Sequence, residues 1–273
     1  MQAVSIGPWV LSVGVVALLL ALGTAHAVAA FLKRRGHPDV EAALWWLLAL
    51  ALVTARAAWV VHWWPAYRAS PLAIVDIRDG GFIWAAGLVA LVFATLVWAQ
   101  RRPAWRRALP ISVGSGVAGW ALVGLVAWQL QSASHPPLPD LALRRLDGGT
   151  ATLADLGGKP MVINLWATWC PPCRAEMPML VEASQRMPDM RFVFVNQGEA
   201  ADTIRAFFER ERLAPAEVLV DGTSGVSQYY RAPGYPTTLF VDASGHLRDM
   251  RVGPLSEASL RAHLERIVPP AVE

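Results

Sequence analysis

The chain has 273 residues, two cysteines and a formal net charge of +3, enough length for one large domain or two ordinary ones. Residues 1–137 hold 11 of the 13 tryptophans, 10 Lys/Arg and 4 Asp/Glu, whereas residues 138–273 hold 14 Lys/Arg and 17 Asp/Glu, so the positive charge is a few arginines among oily runs and not a nucleic-acid surface. Two cysteines exclude a disulfide framework, and with no histidine pair at ligand spacing beside them they exclude a zinc site.

Four runs, about 8–32, 42–64, 82–99 and 109–130, are apolar enough for membrane helices, which need about 20 such residues each. Lys33, Arg34 and Arg35 follow the first run, and Arg101, Arg102, Arg106 and Arg107 follow the third. The positive-inside rule puts those loops in the cytoplasm. The N-terminus, the 65–81 loop and everything after 131 are then outside, where disulfide chemistry is at home. In a bacterium this means the inner (cytoplasmic) membrane, with the second half in the periplasm or on the membrane's outer face. Ala25-His26-Ala27 offers a competing signal-peptidase reading. It lacks a positively charged leader and would strand Lys33 to Arg35 outside.

Gly114-Ser115-Gly116-Val117-Ala118-Gly119 matches a dinucleotide fingerprint in letters only, with no strand before it. Small residues that let membrane helices approach explain it better, as at Ser112/Gly116 and Ser115/Gly119. Arg56 lies inside the second run, where a charge must face the bundle or a headgroup. His26 and His62 are expected at helix-packing or interface positions.

The runs around Thr54-Ala55-Arg56, Pro71-Leu72-Ala73-Ile74 and Asp79-Gly80-Gly81-Phe82 resemble prolipoprotein diacylglyceryl transferase over about residues 6–100. That family's histidine falls at Ala85, and its later R-x-G-N-x-x-N segment has no counterpart. The resemblance implies a truncated relative without transferase chemistry, either a plain anchor or a lipid- or lipoprotein-binding surface.

Residues 131–139 are short and rich in Pro and Ser, a stiff linker between a transmembrane domain at 1–130 and a second domain at 140–273. That second half alternates strand patterns (141–146, 161–167, 191–196, 217–221, 238–242, 247–252) with helix patterns (171–187, 201–212, 224–230, 256–267). Such alternation predicts an α/β sheet. The cysteines sit in Trp166-Ala167-Thr168-Trp169-Cys170-Pro171-Pro172-Cys173, where a strand gives way to a helix. Helix-start N–H groups favour a thiolate. Cys170 is thus expected as the exposed nucleophile and Cys173 as the resolving thiol. Pro171 and Pro172 are tolerated in the first turn, and Pro178 is expected to kink the helix. A merely structural disulfide across two residues gains little.

Gly234-Tyr235-Pro236-Thr237-Thr238 precedes another strand. Together with the cysteine stretch it resembles the TlpA-like branch of thioredoxin-fold disulfide oxidoreductases, over about residues 138–268. The four apolar runs imply an α-helical membrane bundle, and the resemblance implies an α/β thioredoxin-like domain after it; no cofactor is expected. It implies that Pro236 is cis and lies against the cysteines, that the backbone of Tyr235 pairs with a bound substrate chain, and that Trp169 belongs to the same surface. By sequence alone Pro236 could equally be trans. Thioredoxin's buried Asp position is Asn164 here. The branch's acid is Glu176, a proton shuttle in one reading and a solvated first-turn glutamate in the other. Asn196-Gln197-Gly198-Glu199 resembles the branch's post-strand loop. A peroxiredoxin would want threonine at residue 167, which is Ala.

The expected activity is reduction of protein disulfides; an oxidant of the same fold, or a lipid-binding protein with an accessory redox domain, are the alternatives. The four runs contain no cysteine, so a reductant here needs a separate membrane electron donor with its own cysteine pair.

Overall fold

The computed structural model describes residues 3–6, 9–68, 71–131 and 136–267. Residues 132–135 of the expected linker and 268–273 of the expected second domain lie outside it. The chain divides into two compact units, Leu11–Ala133 and a second made chiefly of Ser134–Glu273.

Two short paired strands, β1 (Ala3–Ile6) and β2 (Trp9–Ser12), precede the first helix. Helix α1 (Val13–Arg34) therefore begins later than the apolar run suggests. It is followed by α2 (Glu41–His62), a four-residue α3 (Trp64–Tyr67), α4 (Trp84–Arg101) and α5 (Ala108–Gln131). All four long helices are long and apolar enough to cross a membrane. Their outward faces carry exposed Leu20, Phe31, Trp46, Val53, Phe93 and Leu122. A surface of that kind suits a lipid solvent.

Helix α1 packs mainly on α5, and α2 on α4. Small residues make both contacts. A Cβ on Gly116 would meet the Ala21 carbonyl at 2.9 Å, one on Gly119 the Thr24 hydroxyl at 3.2 Å, and one on Gly87 the Ala51 carbonyl at 2.6 Å. Gly116 and Gly119 thus serve helix packing, as the composition of the run suggests, while a Cβ on Gly114 would meet nothing within 4 Å. Ala25 is buried in the middle of unbroken α1. His26 lies 5.0 Å from the Trp45 ring, and His62 lies 5.1 Å from Trp63.

Arg56 does face inward, onto the 71–82 loop and not toward a headgroup. Its Nε donates to the Ile74 carbonyl, Nη1 to Asp79 Oδ1 and the Gly81 carbonyl, and Nη2 to the carbonyls of Ala73 and Asp76, all within 2.8–3.0 Å. A guanidinium has five N–H groups, and all five are used. Asp79 also accepts from Tyr67 Oη at 2.9 Å, and Tyr67 accepts from Trp59 Nε1 at 3.1 Å. Gly81 closes the network: a Cβ there would lie 2.2 Å from Trp59 Nε1. Gly81→Ala is expected to lower the stability of the detergent-solubilised chain by about 1–3 kcal/mol, the usual cost of overpacking. A melting midpoint unchanged from the native chain would contradict the loop's dependence on this network.

The second unit is built on a seven-stranded sheet. Its strands are β3 (Leu143–Arg145), β4 (Thr150–Ala151), β5 (Met161–Trp166), β6 (Arg191–Gln197), β7 (Val218–Asp221), β8 (Thr237–Val241) and β9 (Leu247–Val252). Helices α6 (Pro171–Arg186), α7 (Ala201–Glu211), α8 (Gly225–Tyr229) and α9 (Glu257–Leu264) connect them. The spatial order is β4-β3-β7-β6-β5-β8-β9. The central strands β5, β6 and β8 are buried almost throughout, which is why they read as continuous apolar runs. One core layer gathers Trp166, Met177, Phe194, Phe207 and Phe240, and the other Met161, Ile163, Val195 and Leu239. Pro178 sits inside α6 without ending it.

The end of the expected linker is docked and not free. Leu138 N–H donates to the Gly245 carbonyl at 2.9 Å, Leu247 N–H donates to the Pro136 carbonyl at 3.1 Å, and both Tyr229 and Tyr230 hydroxyls donate to the Pro137 carbonyl.

Candidate active site

Parallel strands β5 and β6 run in register, Trp166 beside Asn196, so both chains leave the sheet at one edge. From β5 the chain passes through Ala167, Thr168 and Trp169 into α6, whose N-cap is Cys170. Cys170 is extended (φ −90°, ψ 105°), and its sulfur accepts the Cys173 N–H at 3.3 Å. This is the free-donor geometry that favours a thiolate. The two sulfurs are joined in a disulfide.

The structure corrects one expectation. Cys170 is 3% exposed, and Trp169 beside it is 65% exposed. The Cys170 sulfur is bonded to Cys173, which lies in the core layer with Trp166 and Met177. The indole, not the sulfur, meets solvent.

Strand β8 runs antiparallel to β5, with Thr237 opposite Leu165 and Thr238 opposite Asn164. This pairing carries the Tyr235-Pro236 segment to the cysteine edge. The Tyr235–Pro236 bond is cis. Pro236 offers its carbonyl to Gly253 N–H at 2.9 Å, and Thr237 Oγ1 donates to the Gly234 carbonyl. Among the described residues the backbone N–H and C=O of Tyr235 have no partner. The Tyr235 ring stands edge-on to Trp169, with centroids 6.0 Å apart.

Glu176 follows Cys173 by three residues, on the same buried face of α6. It is 4% exposed, which removes the solvated-glutamate reading. Burial pushes its pKa up from 4.5 to about 7, against the opposing pull of the Leu255 N–H, the Asn164 amide and the Arg251 charge. Leu255 N–H donates to Oε2 at 2.7 Å and Asn164 Nδ2 to Oε1 at 2.9 Å. Asn164 Nδ2 also donates to Thr238 Oγ1 at 3.0 Å, while its buried Oδ1 has no partner. Asn164 thus ties β5, α6 and β8 together under the disulfide.

Glu199 is a site residue whose role the sequence did not reveal. It accepts from Thr168 N–H at 2.7 Å, from the Thr168 hydroxyl, and from Asn196 Nδ2 at 2.7 Å. One carboxylate therefore fixes the turn two residues before Cys170. The available signal was topological: a glutamate just after β6 must sit at the edge where β5 ends. Glu199→Ala removes the acceptor of all three bonds. It is expected to cost the oxidised chain about 2 kcal/mol, read from denaturant unfolding.

Among the described residues no group of three or more His, Cys, Asp or Glu could hold a metal ion. The arrangement is a cysteine pair able to exchange its disulfide, with a buried carboxyl group one turn behind it.

Residues 135–250 match the model of the AhpC/TSA family. Thioredoxin-like protein YneN of Bacillus subtilis is 30% identical over 164 residues, which cover 55% of this chain and 95% of the relative. Thiol-disulfide oxidoreductase ResA of Geobacillus kaustophilus is 32% identical over 133 residues, covering 48% of this chain and 76% of the relative. The chain belongs to the thioredoxin-like thiol-disulfide oxidoreductases. Among solved structures, a thiol:disulfide interchange protein of Chlorobium tepidum is 26% identical, covering 49% of this chain and 97% of its own, with a TM-score of 0.43. In the sequence of this oxidoreductase the thioredoxin-like unit follows four helices of membrane length.

Proposed function

We propose that this oxidoreductase is anchored in a bacterial inner membrane and reduces protein disulfides on the extracytoplasmic side through Cys170 and Cys173. One observation carries the reading: a disulfide at the start of α6 with a buried carboxylic acid of pKa about 7 one turn behind it. In the reduced chain the Cys170 thiolate attacks a substrate disulfide. A new bond joins Cys170 to one substrate sulfur, and the other substrate sulfur leaves as a thiolate. Cys173 loses its proton to the Glu176 carboxylate and attacks Cys170 Sγ. The second substrate thiolate leaves, the Cys170–Cys173 bond forms, and two electrons have passed to the substrate. Trp169 and the unpartnered Tyr235 backbone form the surface on which the substrate chain lies, with Pro236 holding Tyr235 at that edge.

Lys33 to Arg35 and Arg101 to Arg107 cluster at the ends of α1 and α4 and the connections after them, which supports a cytoplasmic position for them and an external position for the redox unit. Residues 1–130 serve as the membrane domain, 131–139 as the joint and 140–273 as the redox domain. The three runs that resemble prolipoprotein diacylglyceryl transferase, around Arg56, Pro71 to Ile74 and Asp79 to Phe82, meet at Arg56. All five Arg56 N–H groups are spent on the chain itself. That supports an anchor whose inherited arginine holds a loop. Because the helices hold no cysteine, a second membrane protein with its own cysteine pair must supply the electrons.

Acid-quench thiol trapping in native membranes tests this reading. Cys170 and Cys173 are expected mostly reduced at steady state. A mostly oxidised pair, with a donor shown to be present, would point to disulfide formation instead.

A further inference from the structure

At the end of the bundle where α2 begins and α4 stops lies a cleft of about 390 Å³. Helix α2 contributes Ala42, Ala43 and Trp46. Helix α4 and the turn after it contribute Trp98, Arg101, Arg102 and Trp105. Arg102 stacks over the Trp105 ring at 4.3 Å, and Trp98 and Trp105 lie 6.3 Å apart.

Charge at this end is one-sided. Among the described residues Arg101 and Arg102 have no carboxylate partner, and neither do Arg106 and Arg107. Two acids stand at the start of α2 and both are engaged: Asp39 pairs with Lys33 at 2.6 Å and accepts the Glu41 N–H at 2.9 Å, and Glu41 lies 3.9 Å from the same amine. Neither lines the cleft. Val40, the N-cap of α2, supplies no side-chain acceptor. The first-turn N–H groups of Ala42 and Ala43 have no acceptor within the helix, and the positive end of the α2 dipole faces the same place. The carbonyl end of α4 opposes an anion there, and the two arginines at that end outweigh its half charge.

We propose that this cleft binds the anionic headgroup of a membrane phospholipid. The phosphate sits between Arg101, Arg102 and the start of α2, and the glycerol and first methylenes lie along Trp46, Trp98 and Trp105. A freely dissolved phosphate ester would find the same charges. Three indoles beside two unpaired arginines at the ends of long apolar helices match a lipid's headgroup and upper chains together. The proposal rests on the reading of the four helices as membrane spans.

The test uses the full chain in dodecyl maltoside and counts retained lipid by native mass spectrometry. The probes are phosphatidylglycerol, phosphatidylcholine of the same acyl chains, and glycerol 3-phosphate. Phosphatidylglycerol is expected to be preferred over phosphatidylcholine by roughly thirtyfold, the worth of two arginines near a charged headgroup. Arg101→Gln with Arg102→Gln should abolish the preference. Arg106→Gln with Arg107→Gln removes the same charge outside the cleft and should keep it. Where the first pair lowers the melting midpoint, Arg101→Lys with Arg102→Lys keeps the charge and should keep the preference. Equal retention of the two lipids, or equal loss in both glutamine pairs, overturns the proposal. Binding of glycerol 3-phosphate as tight as that of the lipid also overturns it. Alkaline carbonate extraction separates the two readings: a chain that leaves the membrane refutes the spans themselves, whatever the cleft binds.

Discussion

Replacing Cys173 with Ala is expected to stop turnover after one covalent step. Cys170 keeps its position as the N-cap of α6 and can still attack a substrate disulfide. The mixed disulfide then has no internal thiolate to resolve it. Multiple-turnover reduction of a protein disulfide should fall to the uncatalysed rate, while a covalent adduct accumulates on non-reducing gels. The chain has only two cysteines, so the adduct's address is unambiguous. Sustained turnover by Cys173→Ala would show that an external thiol does the resolving. An adduct on Cys170→Ala instead would reverse the two roles.

Glu176→Gln is expected to slow thiol exchange near neutral pH by about a hundredfold, the low end of general acid–base contributions. Its second signature is thermodynamic. The folded chain holds the Glu176 proton up to about pH 7, whereas an ordinary glutamate releases it near 4.5. Stability is therefore full below the lower value and falls as pH rises through the higher one, by about 3 kcal/mol in all. In Glu176→Gln that slope should disappear. The substitution is structurally mild. Leu255 N–H needs an acceptor, which the amide oxygen supplies. The new amide nitrogen then faces Asn164, whose Oδ1 is unpartnered and can be turned toward it. A variant with native rate but altered pH dependence would make Glu176 a stability residue alone.

Much of the redox unit was readable because burial wrote it into the residues. Strands β5, β6 and β8 appear as runs of Val, Ile, Leu and Phe, since both faces are covered. Their boundaries fall within a residue or so of the expected ones. The two-residue β4 was invisible, because Thr150 and Ala151 carry no pattern long enough to read. The cysteine turn was readable from local chemistry, whereas the burial of Cys170 was not, because it depends on which neighbours close over the turn. Asn164 and Glu176 were named, but their joint hydrogen bond spans two elements and no spacing rule reports it. The role of Glu199 and the partner of Arg56 were missed for a shared reason. In both cases a polar side chain fixes a loop that the sequence shows as a gap between patterns.

Helices α1 and α5 are the first and last of the long helices, and they lie side by side through Ala21, Thr24, Gly116 and Gly119. The chain is made from its N-terminus at about 5–20 residues per second. Helix α1 therefore waits several seconds, through the whole synthesis of α2 and α4, before the surface that fits its small-residue face exists. During that interval the small-residue face of α1 stands without the α5 surface that covers it in the finished bundle. The bundle is completed only when its last segment arrives, immediately before the redox unit begins to emerge.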